Sequence, residues 1–214
     1  MNEYFEILEK YNYWKQKPER LGLIRELYLK RIKQFIGNDL IKVLIGQRRV
    51  GKSYLLRQTI NFLINSHINP KNIFYLNKEQ FEFSKIRTAK DLVELITLYE
   101  NKMEITGKIY LFIDEVQEIA EWEKAIISYA YNQKKEYEVF ISGSNSNMLS
   151  SELGTYLSGR YISFEVFPFS FSEYTHYFNL KKNKQTLIQY LQDSGLPELY
   201  SLENSESKYH YTPN

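Results

Sequence analysis

The chain contains no cysteine. That excludes disulfides and cysteine-ligated metal centres, and it fits a cytosolic, that is cytoplasmic, protein. It also has no apolar stretch approaching the roughly 18 residues of a membrane-spanning helix, so no segment reads as one and no membrane partner is expected. The opening segment, Met1 to Lys17, mixes acids with aromatics and lacks the apolar run of a signal peptide. Neither sign of charge is in excess: 28 basic and 26 acidic residues leave a net charge of +2. Charge therefore gives no support to nucleic acid as a partner. No internal repeat is visible. What the chain does have is enough apolar material, 43% of 214 residues, to bury the core of one large α/β domain with a small appendage.

One run stands out, Gly46-Gln47-Arg48-Arg49-Val50-Gly51-Lys52-Ser53. It fits the pattern G-x-x-x-x-G-K-[ST], a loop that cradles the phosphates of a nucleoside triphosphate. Glycines at both ends let the backbone curl and point several N–H groups at one spot. Lys52 adds a cation for the β- and γ-phosphates, Ser53 offers a hydroxyl to Mg²⁺, and a helix beginning here aims its positive end at the same charge. The eight residues and the following Tyr54 are the candidate nucleotide-binding set, with ATP and Mg²⁺ as the expected ligands. The flanks agree. Leu40 to Ile45 is a short apolar run suited to a buried parallel strand. Ser53 to Ile64 then repeats apolar residues at helical spacing.

The rest of the chain alternates between the two periods. Helical patterns cover the opening stretch to about Lys17, broken by Pro18, and Leu21 to Phe35, stopped by Gly37-Asn38-Asp39. Strands are expected at Ile73–Leu76, Ile109–Ile113, Glu138–Ile141 and Tyr161–Val166. Helices are expected at Leu92–Met103, Trp122–Tyr131, Leu149–Leu157, Phe171–Phe178 and Leu187–Leu191. Such alternation implies a mostly parallel sheet covered on both faces, a three-layer α/β/α domain. The expected division is an N-terminal helical segment over 1–36, a nucleotide-binding core over 37–167 and a helical extension over 168–200. The polar stretch 201–214 reads as a disordered tail.

A triphosphatase also needs carboxylates at the tip of a neighbouring strand. Asp114 ends the third strand and Glu115 follows it. Two acids ending a buried apolar strand are costly unless they meet a cation. Asp114 is the candidate metal residue. Glu115 is the candidate base that polarises the attacking water. The Asp-Glu pair, and a strand between it and the phosphate loop, resemble ATPases with an additional catalytic glutamate. The Asn-Lys-x-Asp that reads guanine is missing, so adenine is the expected base. Ser144 and Asn145, after the fourth strand, are candidates to touch the γ-phosphate or the water, although Ser-Gly-Ser-Asn is also ordinary turn chemistry. Arg160 is the remaining candidate cation, acting within the chain or on a neighbouring subunit; a surface arginine after a glycine turn is the plain alternative. Lys52, Glu115, Ser144, Asn145 and Arg160 form the candidate catalytic set.

These pieces together, IGQRRVGKSYLL, IYLFIDEVQEI with Trp122 following, FISGSNSNML, LSGRYISFEVFPFSFSEY and GLPELY, resemble the prokaryotic AAA-type ATPases that carry a C-terminal domain of unknown function. The resemblance covers roughly residues 20 to 200. It implies strand order 5-1-4-3-2, a sensor segment at Ser144-Asn145, a Gly-Arg motif containing Arg160, and a base pocket lined around Leu23 to Tyr28. It also implies partners beyond ATP and ADP: self-association, or a C-terminal effector domain that lies beyond this sequence. Mg²⁺-dependent ATP hydrolysis coupled to a conformational change is the leading expectation. A slowly hydrolysing switch or scaffold shares every motif. A small-molecule kinase would need an arginine-rich lid that is not visible, and a nucleic-acid motor lacks a basic face in the sequence.

Overall fold

In a computed structural model, residues 2–15, 18, 21–144, 157–193 and 195–197 are described. Five strands form the sheet: β1 (Ile41–Gly46), β2 (Ile73–Asn77), β3 (Ile109–Asp114), β4 (Tyr137–Ser144) and β5 (Tyr161–Glu165). Their order is β2-β3-β4-β1-β5, and all four pairings are parallel. This is the expected order, 5-1-4-3-2. β1, β3 and much of β4 are buried on both faces, which explains why their sequences run apolar without alternation.

Successive side chains of each strand feed two separate cores. On one face Val43, Ile45, Leu111 and Ile113 pack with residues of α1 (Asn2–Tyr11), α4 (Ala89–Met103) and α5 (Trp122–Ala130). On the other face Leu44, Tyr110, Phe112 and Phe140 pack with α2 (Glu26–Lys33) and α3 (Lys52–Asn65). Two further helices, α6 (Phe171–Tyr177) and α7 (Lys184–Asp193), follow β5. The arrangement is the three-layer α/β/α fold.

Two helices are shorter than their periodicity predicts, and tertiary contacts explain both. The first helix stops at Tyr11 because Asn12 and Trp14 turn onto the sheet edge. Asn12 Nδ2 donates to Tyr75 O at 3.0 Å, its Oδ1 accepts from Tyr75 N at 2.6 Å, and Trp14 Nε1 donates to Ile73 O at 2.7 Å. These side chains satisfy backbone groups of edge strand β2 as a sixth strand would. The second helix begins only at Glu26. Ahead of it, Gln58 Nε2 donates to both Leu21 O and Leu23 O at 2.8 Å, and Gln58 Oε1 accepts from Arg25 N at 3.2 Å. A side chain of α3 thus takes up the hydrogen bonds that a helical turn would have made. The expected helix over Leu149–Leu157 lies outside the described residues except for Leu157, which is buried in the core. The stretch 201–214 also lies outside them. No helix among the described residues is long and apolar enough to cross a membrane.

Candidate functional site

The parallel sheet sends the C-terminal ends of β1, β3 and β4 to one rim, and the candidate residues follow those ends. The phosphate loop leaves β1 at Gly46, where a side chain could not fit: a Cβ would stand 2.3 Å from Val166 O. At the other end of the loop, Gly51 caps α3 with φ 97°, a left-handed conformation that glycine adopts without strain. Val50 between them packs its side chain into the core. Its carbonyl accepts from Arg25 Nη1 at 3.2 Å.

Lys52 is buried in the first turn of α3. Its Nζ donates to Gly46 O at 3.1 Å and Gln47 O at 2.9 Å, and it stands 3.6 Å from Glu115 Oε1. Ser53, next along, hydrogen-bonds Asp114. The structure therefore brings Lys52, Ser53, Asp114 and Glu115 together from separate segments of the chain. Asp114 is fully buried, and burial raises its pKa above the ordinary 3.8, partly opposed by hydrogen bonds from Ser142, Ser53 and Tyr75. Ser142 Oγ donates to Asp114 Oδ1 in a short hydrogen bond. Tyr75 Oη donates to Oδ2 at 3.1 Å. Glu115 adopts a left-handed backbone, φ 55°, and Gln117 Nε2 donates to its Oε2 at 2.6 Å.

A buried carboxylate disfavoured in its charged form, beside a hydroxyl, suits a hard divalent cation. Mg²⁺ takes one or two protein oxygens and leaves its other positions to water and substrate phosphates. Among the described residues there is no cluster of three or more potential metal-ligating side chains, and Mg²⁺ with a triphosphate requires none. The residues present fit that ion.

A cleft of about 580 Å³ opens over this rim. The loop and α3 supply Arg48, Arg49, Lys52, Ser53, Tyr54 and Arg57; Asn77 and Glu79 follow from β2. Gly22, Leu23 and Arg25 come from the segment ahead of α2, Phe169 and Tyr177 from around α6, and Pro197 from beyond α7. Of the base-pocket segment expected at Leu23 to Tyr28, Leu23 and Arg25 reach the cleft. Arg57 lies over the Tyr54 ring at 4.2 Å. Glu79 sits at the mouth, where loss of solvation, then the charges of Glu115 and Asp114, raise its pKa. Arg25 is nearly inaccessible. It donates to both carboxylate oxygens of Glu173, at 2.7 and 3.0 Å, and to Phe167 O at 2.8 Å, fastening α6 to the loop.

Two expectations are not met in this form. Arg160 does not reach the cleft. Its carbonyl accepts from Ile41 N at 3.0 Å, at the start of β1, so it sits at the opposite rim, with its guanidinium over Tyr131 at 5.1 Å. Five residue steps of about 3.3 Å separate the two rims along β1, so Arg160 stands far from the phosphate loop of its own chain. Ser144 is paired with Gly46 in register and is half-buried, but does not line the cleft. Asn145 lies outside the described residues.

Ser142, Tyr75, Gln117, Arg25 and Arg57 carry no motif that marks them for the site. Ser142 leaves one signal, a hydroxyl within an otherwise apolar strand. Tyr75 leaves none, because a tyrosine in a β-branched and aromatic run reads as core.

Comparison with known proteins gives the family and the fold. A model of the AAA domain matches residues 38–175. An uncharacterized protein of Haemophilus influenzae is 38% identical over 181 residues, 82% of this chain and 44% of its own length. The chain spans less than half the length of the curated relatives it matches. Among solved structures, AMPPCP-bound DnaA from Aquifex aeolicus aligns with a TM-score of 0.52 at 16% identity, covering 85% of this chain and 61% of its own. Cdc6p from Pyrobaculum aerophilum aligns with a TM-score of 0.58 at 14% identity, covering 87% and 59%. At such identities these two share the fold. The chain belongs to the AAA domain family of nucleotide-binding P-loop ATPases.

Proposed function

We propose that the chain hydrolyses ATP to ADP and phosphate by attack of water on the γ-phosphate, and that the energy drives a conformational change. The observation that carries this reading is the convergence of Lys52, Ser53, Asp114 and Glu115 on one rim beneath a cleft. The loop backbone from Gly46 to Ser53 and the N-terminus of α3 bind the phosphates. Lys52 exchanges its carbonyl partners, Gly46 O and Gln47 O, for β- and γ-phosphate oxygens. Ser53 and Asp114 would hold Mg²⁺, which neutralises phosphate charge when bound. Glu115 accepts the proton of the attacking water. Arg48, Arg49 and Tyr54 contribute at the cleft.

Arg160 acts on a second copy of the chain. Its exposed position on the rim away from its own cleft supports that assignment, as an arginine supplied in trans supports about 10³–10⁵ in rate where the role is established. Phosphate release by the purified protein tests the whole reading. Wild type should turn over only with Mg²⁺, and Glu115→Gln should bind ATP without hydrolysing it. Arg160→Ala should be inactive alone but regain turnover when mixed with Glu115→Gln. Wild-type turnover by Glu115→Gln would overturn the role of Glu115, and a mixture as dead as its parts would overturn that of Arg160.

A further inference from the structure

Ser142 has a place in the site that neither loop nor acid motif assigns. It is fully buried in β4, between β1 and β3. Its hydroxyl touches both acids. Oγ donates to Asp114 Oδ1 and accepts the Glu115 N–H at 3.2 Å. A hydroxyl has one proton, so these two bonds fix its sense: proton toward the carboxylate, lone pair toward the amide. The second bond matters because Glu115 holds φ 55°, a conformation uncommon for a residue with a Cβ. An apolar residue at 142 would pack equally well in a strand. It would take this partner from the Glu115 N–H and one donor from Asp114.

Other contacts each serve a single acid. Tyr75 Oη reaches Asp114 Oδ2 at 3.1 Å, and Gln117 Nε2 reaches Glu115 Oε2 at 2.6 Å. We propose that Ser142 is a positioning residue: through one hydroxyl it aims the Asp114 carboxylate at Ser53 and holds the Glu115 backbone in the turn that carries its side chain to Lys52. The metal residue and the base are thereby set together. This rests on the ATPase reading given above.

The test compares Ser142→Ala with Tyr75→Phe, which removes one donor from Asp114 and leaves Glu115 untouched. Affinity for a fluorescent ATP analogue is measured with and without Mg²⁺, followed by turnover at saturating ATP and Mg²⁺. Ser142→Ala should bind the Mg²⁺-free nucleotide as wild type does. Its gain in affinity on adding Mg²⁺ should shrink about tenfold, the size seen when outer-sphere partners of metal ligands are removed. Its saturated turnover should also fall, and further than that of Tyr75→Phe, which loses a donor to Asp114 alone. Ser142→Thr, which retains the hydroxyl, should recover both.

A Mg²⁺ gain unchanged in Ser142→Ala would overturn the link to Asp114. Turnover equal to that of Tyr75→Phe would overturn the link to Glu115. If Ser142→Ala does not fold, Ser142→Cys, with its weaker donor, must show the same paired loss, and wild-type behaviour would sink the proposal. Wild-type protein that binds no nucleotide would remove the ATPase reading and this proposal with it. Wild-type protein that binds normally, with an indifferent Ser142→Ala, removes this proposal alone.

Discussion

The sheet holds a buried amine–carboxylate pair at each end, and the two are built in opposite ways. At the rim away from the cleft, Lys42 and Glu138 meet at 2.7 Å, both essentially inaccessible. Backbone groups and a second lysine stand around them. Lys42 Nζ donates to Asn38 O at 3.0 Å, Glu138 Oε1 accepts from Gly37 N at 2.8 Å, and Lys108 stands 3.9 Å away. At the cleft rim, Lys52 and Glu115 lie 3.6 Å apart, and each leans on replaceable partners: two loop carbonyls for the amine, Gln117 for the acid. The closed pair is out of reach of a ligand, although Glu138 Oε2 has no hydrogen-bond partner. The loose pair keeps donors and acceptors for one. Burial of charge therefore says little about function here. What distinguishes the two is whether the charges are held by one another inside the protein or open onto a cleft.

Substitutions that break the open pair should have the largest effect, and on chemistry rather than folding. Glu115→Gln should lower turnover by about 10²–10⁴, the usual range for a lost general base, with ATP affinity retained. Lys52→Ala should abolish nucleotide affinity. Phosphate release and nucleotide titration check both, and unaltered kinetics would make the open pair as structural as the closed one.

Breaking the closed pair should do the reverse. Glu138→Leu strands a buried ammonium and should cost about 3–5 kcal/mol of stability. Turnover per folded molecule should not change. The double variant Lys42→Met with Glu138→Leu should recover most of the loss in chemical denaturation. Burial, opposed by the Glu138 hydrogen bond, already holds the Lys42 pKa below its ordinary value, so the single variant leaves a group that prefers to be neutral.

Asp114 sharpens the contrast with a smaller effect that runs the other way. Its folded pKa lies above the unfolded one, so the folded state binds the proton more tightly. The stability this group contributes is fully present below its ordinary pKa of 3.8 and is lost as pH rises through the raised value. At neutral pH the charged carboxylate opposes folding. Asp114→Asn should therefore raise the Tm of the ligand-free protein near pH 7 and flatten that part of its pH dependence, while removing the stabilisation that Mg²⁺ and ATP confer. Thermal melts across pH, with and without ligand, check the sign. The smallest effect belongs to Lys108→Met, the outer member of the closed cluster. At 3.9 Å and partly exposed, it should change stability by less than about 1 kcal/mol.

The phosphate loop was legible because its chemistry is local. Two glycines, a lysine and a serine must stand at fixed spacing on one strand–turn–helix, so the sequence displays the site whole. The Asp114–Glu115 pair was legible for a related reason: two acids closing a buried apolar strand are costly unless a cation meets them. The parallel sheet followed from alternating periods and the strand order from the family resemblance, and the sheet agrees with both. Helix limits were less legible. Asn12 and Gln58 draw backbone away from helical bonding through partners 63 and 33 to 37 residues distant, and periodicity carries no trace of them.

By itself the sequence determined that the loop Gly46 to Ser53 and the acids Asp114 and Glu115 belong to one parallel sheet. Their order in the chain and the apolar strands before them leave few other arrangements. Only the tertiary structure decided how those groups are held. It placed Ser142 against both acids, Arg25 between the loop and α6, and Arg160 on the far rim. Each depends on which strand ends lie side by side. Strand neighbours are set by packing across the whole domain, so no local pattern encodes them.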